Sequence, residues 1–375
     1  MSAARKRVTP GSLLPQFPWD SLTQAKATAA AYPEGMVNLS VGTPVDEVAQ
    51  VIRQGLSEGA AAPGYPQTVG TPELRAAIVA AMARRYGVTG LESAVNGGNV
   101  LPVIGTKEAI GWLPFLLGVG AGHTVVIPEL AYPTYEVGVR IAGAELLRAD
   151  SLTQIGPASP TLMFINSPGN PNGKVLGVEH LRKVVEWARA RDVIVASDEC
   201  YLGLGWTEQP VSILDPQVCD GDFTNLLAIH SLSKTSNMAS YRTGWFAGDA
   251  DLIAELVSVR RHMGLMMPGP IQHATIAALN DDSHEAEQKQ RYSDRREILR
   301  DALVAAGFRV DDSEGGLYLW VTRGEDCWQT VDWLAERGIL VAPGSFYGPK
   351  GAQHVRVGLT ATLNDIEVAA ARIRG

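Results

Sequence analysis

Cysteine, clustered positive charge and long apolar runs are all scarce in this chain of 375 residues. Its three cysteines, Cys200, Cys219 and Cys327, are odd in number and unrelated in spacing, which argues against a disulfide framework or a zinc site and suits a reducing compartment. Lys and Arg total 32 against 40 Asp and Glu, a net charge of -8. Phosphate backbones are held by clustered cations, so a nucleic-acid surface is not expected. Arg5, Lys6 and Arg7 form the one basic run, near the N-terminal end, where a solvated tail is the plain reading. No stretch matches a membrane span or a signal-peptide core, and a cytoplasmic location is expected.

The composition that remains, 46% apolar and 19% charged, is that of a compact globular protein with a sizeable core. The length exceeds what one core organises, so two unequal domains are expected. Short apolar runs alternate with longer amphipathic ones through the middle of the chain, the signature of strands and helices around a parallel sheet. Strands are expected at Val100 to Ile104, Thr124 to Ile127, Thr161 to Asn166, Val193 to Ser197, Asn225 to His230 and Gly244 to Ala247. Between two of them, Leu181, Val184, Val185 and Ala188 recur at helical spacing, predicting a helix over Val178 to Arg191. A long polar helix, Ser283 to Ala306, leads into a smaller α+β unit. Its strands are expected at Leu317 to Val321, Ile339 to Ala342 and His354 to Gly358, with helices at Thr330 to Arg337 and from Asn364. The first forty or so residues, with Pro10, Pro15, Pro18 and Pro33, are too sparse in periodic apolar sequence to fold alone and are expected to pack on the C-terminal unit or a neighbouring subunit.

Two glycine patterns mislead. Gly169 to Val175 lacks the first glycine and the Ser or Thr of a P-loop. Gly118, Gly120 and Gly122 follow a helix and precede a strand, the reverse of a dinucleotide fingerprint. The seven histidines show no metal-binding spacing, and no metal is expected.

Chemistry gathers at strand ends. Ser231-Leu232-Ser233-Lys234 follows an apolar strand, with Arg242 eight residues on. Burial near other cations lowers a lysine's pKa until its neutral amine can attack an aldehyde, and an arginine fork suits a phosphate. Alone, the same residues suit a surface turn. Asp198-Glu199-Cys200-Tyr201 closes another strand, where a carboxylate can sit beneath a pyridine ring or simply be solvated. Asn166 to Gly173 is a run of turn formers; Gly105-Thr106-Lys107 joins a strand to a helix whose first amides are free for an anion; Ala131-Tyr132-Pro133 offers an aromatic face. In this order, each at a predicted strand end, they describe a ligand crevice of an open α/β sheet.

With these motifs, the sequence resembles the fold-type I pyridoxal-5'-phosphate (PLP) enzymes of the class I/II aminotransferase group, from Leu39-Ser40-Val41-Gly42-Thr43-Pro44 to Arg356. The resemblance implies an α/β fold: a large domain with a mostly parallel central sheet flanked by helices, and a smaller α+β domain from the two chain ends. Residues 1–44 would be an N-terminal segment packing on the small domain, 45–282 the large PLP-binding domain and 283–375 the small C-terminal domain. It also implies PLP as cofactor, bonded by Lys234, which shuttles the proton. Asp198 would pair with the pyridine nitrogen, Asn170 and Tyr201 would meet the phenolic oxygen, and Tyr132 would stack on the ring. Ser231, Arg242 and the backbone of Thr106 and Lys107 would hold the phosphate, with Tyr65 reaching it from the neighbouring subunit of a homodimer. Arg356, beside Gly42 and Asn170, would bind the carboxylate of amino and oxo acid substrates. Asn96-Gly97-Gly98-Asn99 is unusually glycine-rich for this place.

Transfer of an amino group from a donor amino acid to a 2-oxo acid is the implied reaction; a PLP-dependent lyase or synthase on the same scaffold is an alternative. A PLP-binding transcription regulator would need a helical DNA-binding unit ahead of Leu39, which the proline-rich start does not suggest. Phe17-Pro18-Trp19-Asp20, Ala62 to Pro66, Pro128 to Tyr135 and Ser231 to Trp245 further resemble actinobacterial N-succinyldiaminopimelate aminotransferases. That implies glutamate and N-succinyl-2-amino-6-oxopimelate as partners in lysine and diaminopimelate synthesis. Arg260, Arg261 and His262 are candidates for the distal carboxylates, and a basic helix end explains them equally.

Overall fold

The computed structural model describes residues 9–95 and 98–375; Asn96 and Gly97 of the glycine-rich stretch lie outside them. Among the described residues there are thirteen strands, numbered in chain order. The first, β1 (Val37–Asn38), precedes seven that contribute to or flank the middle of the molecule: β2 (Val100–Val103), β3 (Thr124–Ile127), β4 (Glu145–Arg148), β5 (Leu162–Asn166), β6 (Ile194–Asp198), β7 (Leu226–Ser231) and β8 (Gly244–Gly248). The last five are β9 (Arg309–Asp311), β10 (Tyr318–Thr322), β11 (Ile339–Leu340), β12 (Ala342–Pro343) and β13 (Val355–Gly358).

The central sheet runs β2-β8-β7-β6-β5-β3-β4, parallel from β7 through β4 and antiparallel where β8 meets β7 and β2. Period-two alternation gives the sheet two apolar faces. Val195, Met163, Ile165, Leu226 and Ala228 point to one core, while Ala196, Leu162, Phe164, Leu227 and Ile229 point to the other. The six expected strands are all present, with ends differing by a residue or two. An additional strand, β4, was not expected: Glu145-Leu146-Leu147-Arg148 is short, charged at both ends and sits at the sheet edge, where such residues are favoured.

A third core collects Leu22, Ala25, Ala29, Val37 and Leu39 from the start of the chain with Leu299, Leu319, Leu340, Val357 and Ile366 from its end. Parallel pairing of β1 with β11 ties the two together. The single strand expected over Ile339 to Ala342 is two strands, because β11 joins β1 while β12 pairs with β13 in the four-stranded sheet β12-β13-β10-β9. The long helix spans Ser283–Ala305 and the helix after β5 spans Val178–Arg189. Among the described residues no helix is long and apolar enough to cross a membrane.

Candidate active site

The strand ends of the central sheet open into a cavity of about 310 Å³ lined by Gly42, Thr106, Lys107, Tyr132, Asn170, Asp198, Tyr201, Ser231, Lys234, Arg242 and Arg356. Eleven of the twelve sequence-predicted residues are therefore brought together. Alternation explains the floor: Asp198 shares a face of the sheet with Ala196, and Ser231 with Ile229, so both point toward the cavity, while His230 points to the opposite core against Trp245. Tyr65 is the exception. It is 97% exposed and lies outside the cavity of its own chain.

Asp198 is 5% exposed. Its carboxylate accepts from the Tyr135 hydroxyl at 2.7 Å and from the Cys200 amide at 3.2 Å. Burial pushes its pKa up from the usual carboxylate range, and those hydrogen bonds hold it back. Tyr135 was not anticipated from sequence. The signal was present, because it lies three residues after Tyr132, a spacing that brings side chains to neighbouring places on a helix, here Pro133–Ala142.

Lys234 donates through Nζ to the Gly42 carbonyl. Burial, with Arg356 and Arg242 adding repulsion, holds its ammonium below the ordinary lysine value, the direction a nucleophilic amine requires. Nearby, the helix Thr106–Leu116 starts without a side-chain cap, leaving its first amides for an anion. Gly105, at φ +93°, makes room for the Arg242 guanidinium: a Cβ there would lie 2.3 Å from Nη2. Arg242 has no ion-pair partner among the described residues.

Arg356 comes from the other sheet, on β13. It is 3% exposed, donates from Nη1 to Asn170 Oδ1 at 2.9 Å and from Nη2 to the Ser40 carbonyl at 2.8 Å, and leaves Nε without a partner. Its guanidinium lies 3.8 Å from the Tyr318 ring centre and 5.0 Å from that of Tyr347. Trp19, Cys200 and Tyr318 also line the cavity and were missed in the sequence; only tertiary folding brings Trp19 and Tyr318 to the strand ends of the central sheet.

Of the three residues proposed for distal carboxylates, Arg260 is corrected. Arg260 is fully buried and spends its guanidinium on Glu108, with both contacts at 3.2 Å. Arg261 lines a separate cavity with Val69 and Arg75, and His262 lies outside the active-site cavity. Arg260, the last residue of the helix Ala250–Arg260, is paired in the interior with Glu108.

The site fits PLP by charge and shape. A buried carboxylate lacking a cationic hydrogen-bond partner suits a pyridine nitrogen; a free helix start beside Arg242 suits a phosphate; a desolvated lysine lies in the same cavity. The family model for aminotransferase class I and II matches residues 34–373, and the chain belongs to that family, whose members are PLP-dependent transferases of fold type I. It is 61% identical over 373 residues to a probable aminotransferase of Mycobacterium tuberculosis, covering 100% of this chain and 88% of that one. It is 52% identical over 360 residues to OxyQ of Streptomyces rimosus, named 4-dedimethylamino-4-oxo-anhydrotetracycline transaminase, covering 96% and 99%. The LL-diaminopimelate aminotransferase of Aquifex aeolicus is 30% identical over 385 residues, covering 96% and 97%.

Proposed function

We propose that this aminotransferase moves the amino group of glutamate to N-succinyl-2-amino-6-oxopimelate, with Lys234 as the proton-transferring residue and Arg356 as the carboxylate clamp. The observation that carries the clamp is Arg356 itself: a buried guanidinium with an unpartnered Nε and no acidic partner among the described residues. Leaving such a charge uncompensated is costly, and a substrate carboxylate supplies the missing anion. Asn170 and the Ser40 carbonyl orient the guanidinium for that encounter. When bound, PLP supplies an electron sink for the substrate's α-carbon. Asp198 keeps a negative charge under the ring position, Tyr201 meets the phenolic oxygen, and Ser231, Arg242 and the amides of Thr106 and Lys107 hold the phosphate. The Lys234 amine, held toward its neutral form by burial, would take the substrate's α-proton and deliver it to the cofactor's C4' carbon.

The substrate assignment is supported by the sequence runs shared with succinyldiaminopimelate aminotransferases and by the diaminopimelate-related relative at 30% identity. OxyQ, at 52%, favours a second reading in which the acceptor is a bulky polycyclic ketone. We further propose a homodimer in which Tyr65 completes the partner's phosphate site, supported by its 97% exposure; an active monomer in sedimentation would exclude it. Steady-state kinetics with glutamate against succinylated oxopimelate, 2-oxo acids of aspartate, alanine and aromatic amino acids, and a polycyclic ketone decides the acceptor. The succinylated partner is expected to give the highest kcat/KM. A preference for any other acceptor removes this substrate and leaves the transaminase assignment intact.

A further inference from the structure

Tyr318 has no part in the assignments above, yet it touches both halves of the site. It is 4% exposed on β10, and its hydroxyl shares a hydrogen bond of 3.3 Å with the Tyr201 hydroxyl. Its ring carries the Arg356 guanidinium at 3.8 Å. Gly42 confines it from a third side: a Cβ at that position would stand 1.9 Å from the Tyr318 oxygen, so the phenol fills the space a side chain would need. The same Gly42 carbonyl accepts from Lys234.

We propose that Tyr318 is a positioning residue that couples the cofactor side of the site to the substrate side: its hydroxyl donates to Tyr201 and its ring seats Arg356. The inference rests on the reading of Tyr201 and Arg356 given above. The donor direction follows from counting protons. A phenol has one, so if Tyr201 gives its proton to the cofactor's phenolic oxygen, the bond between the two tyrosines must be donated by Tyr318. Burial raises both phenols; around Tyr318 the cations Arg356 and Lys234 outweigh it, whereas Tyr201 stays above the usual tyrosine value. The remaining ionisable groups around the pair are Cys200 beside Tyr201, and Tyr347, Tyr132 and Tyr292, which sense Tyr318 through space. The ring's role is independent of its hydroxyl, since a guanidinium is attracted to an aromatic face whether or not the ring carries oxygen.

These two roles separate in two variants of the PLP-loaded enzyme. Tyr318→Phe keeps the ring and loses the donor. Tyr201 then donates less strongly, the phenolic oxygen stays more basic, and the pH midpoint of the bound cofactor's visible absorbance should rise by about half a unit or more. Its KM for carboxylate substrates should stay within about threefold while kcat falls. Tyr318→Leu loses both roles and should also raise KM about tenfold, the equivalent of one cation–π contact in a desolvated site. Because the hydroxyl acts through Tyr201, the absorbance midpoint of Tyr318→Phe combined with Tyr201→Phe should match that of Tyr201→Phe alone. Thermal unfolding and cofactor binding identify any variant that has lost its fold, in which case the remaining variant carries the test. An unchanged midpoint in Tyr318→Phe, or equal KM values for Phe and Leu, overturns the proposal. If instead Lys234→Ala transaminates normally, the failure belongs to the site assignment and not to Tyr318.

Discussion

Asp198 and Arg356 face one cavity from opposite sheets, and each is a buried charge in a different predicament. Asp198, on the central sheet, is satisfied locally by the Tyr135 hydroxyl and the Cys200 amide. Arg356, on the small sheet, has neutral acceptors only and an unpartnered Nε. The floor of the site is thus organised before any ligand arrives, whereas the wall keeps a cation in need of an anion. That division suits a transaminase: the cofactor stays while successive acids come and go, and the exchangeable partner is met by the incompletely satisfied charge.

The comparison breaks most completely at the floor. Lys234→Ala should lower transamination by roughly 10⁴-fold or more, since it removes the group that moves the proton. PLP should still bind noncovalently, because the phosphate and ring contacts proposed for it are on other residues. Borohydride reduction and peptide mapping of the unaltered enzyme checks the assignment, and a pyridoxyl label on another lysine would refute it. At the wall, Arg356→Lys should lower kcat/KM about a hundredfold with every donor, because a point charge cannot reproduce the two-pronged contact. A loss confined to one donor would mean that Arg356 binds a side chain and not the shared carboxylate. The smallest effect belongs to Tyr135→Phe, which removes one hydrogen bond to Asp198 and should weaken PLP binding about tenfold. Its pH dependence has a defined sign. The hydrogen bond lowers the Asp198 pKa, so without it the carboxyl protonates at higher pH, and the acid limb of cofactor binding should move upward. An unmoved acid limb in a titration of PLP affinity would separate Tyr135 from Asp198.

The same contrast governs what could be read from the chain. Asp198 and Ser231 end apolar strands and Lys234 lies three residues beyond, and alternation puts Asp198 on the face of Ala196 and Ser231 on that of Ile229. Period-two and helical patterns are local properties, imposed by the backbone on a few neighbouring residues, and they located the central strands to within a residue or two. Local patterns failed where partners decide. Glu145-Leu146-Leu147-Arg148 is a strand only because β3 offers it an edge, and Ile339 to Pro343 divides because two different sheets claim its halves. Arg260 looked like an available cation in sequence, yet Glu108, 152 residues earlier, neutralises it in the interior.

The sequence by itself determined the alternating α/β framework, the lysine, acid and anion-binding elements at the strand ends, and the family they signify. Tertiary structure alone decided that Tyr135 steadies Asp198, that Arg260 is spent on Glu108, and that Tyr318 stands between Tyr201 and Arg356. The reason is physical: hydrogen bonding and strand pairing within a segment follow from its own residues, but burying a charge requires partners, and those partners are brought within a few ångströms only when distant segments pack together.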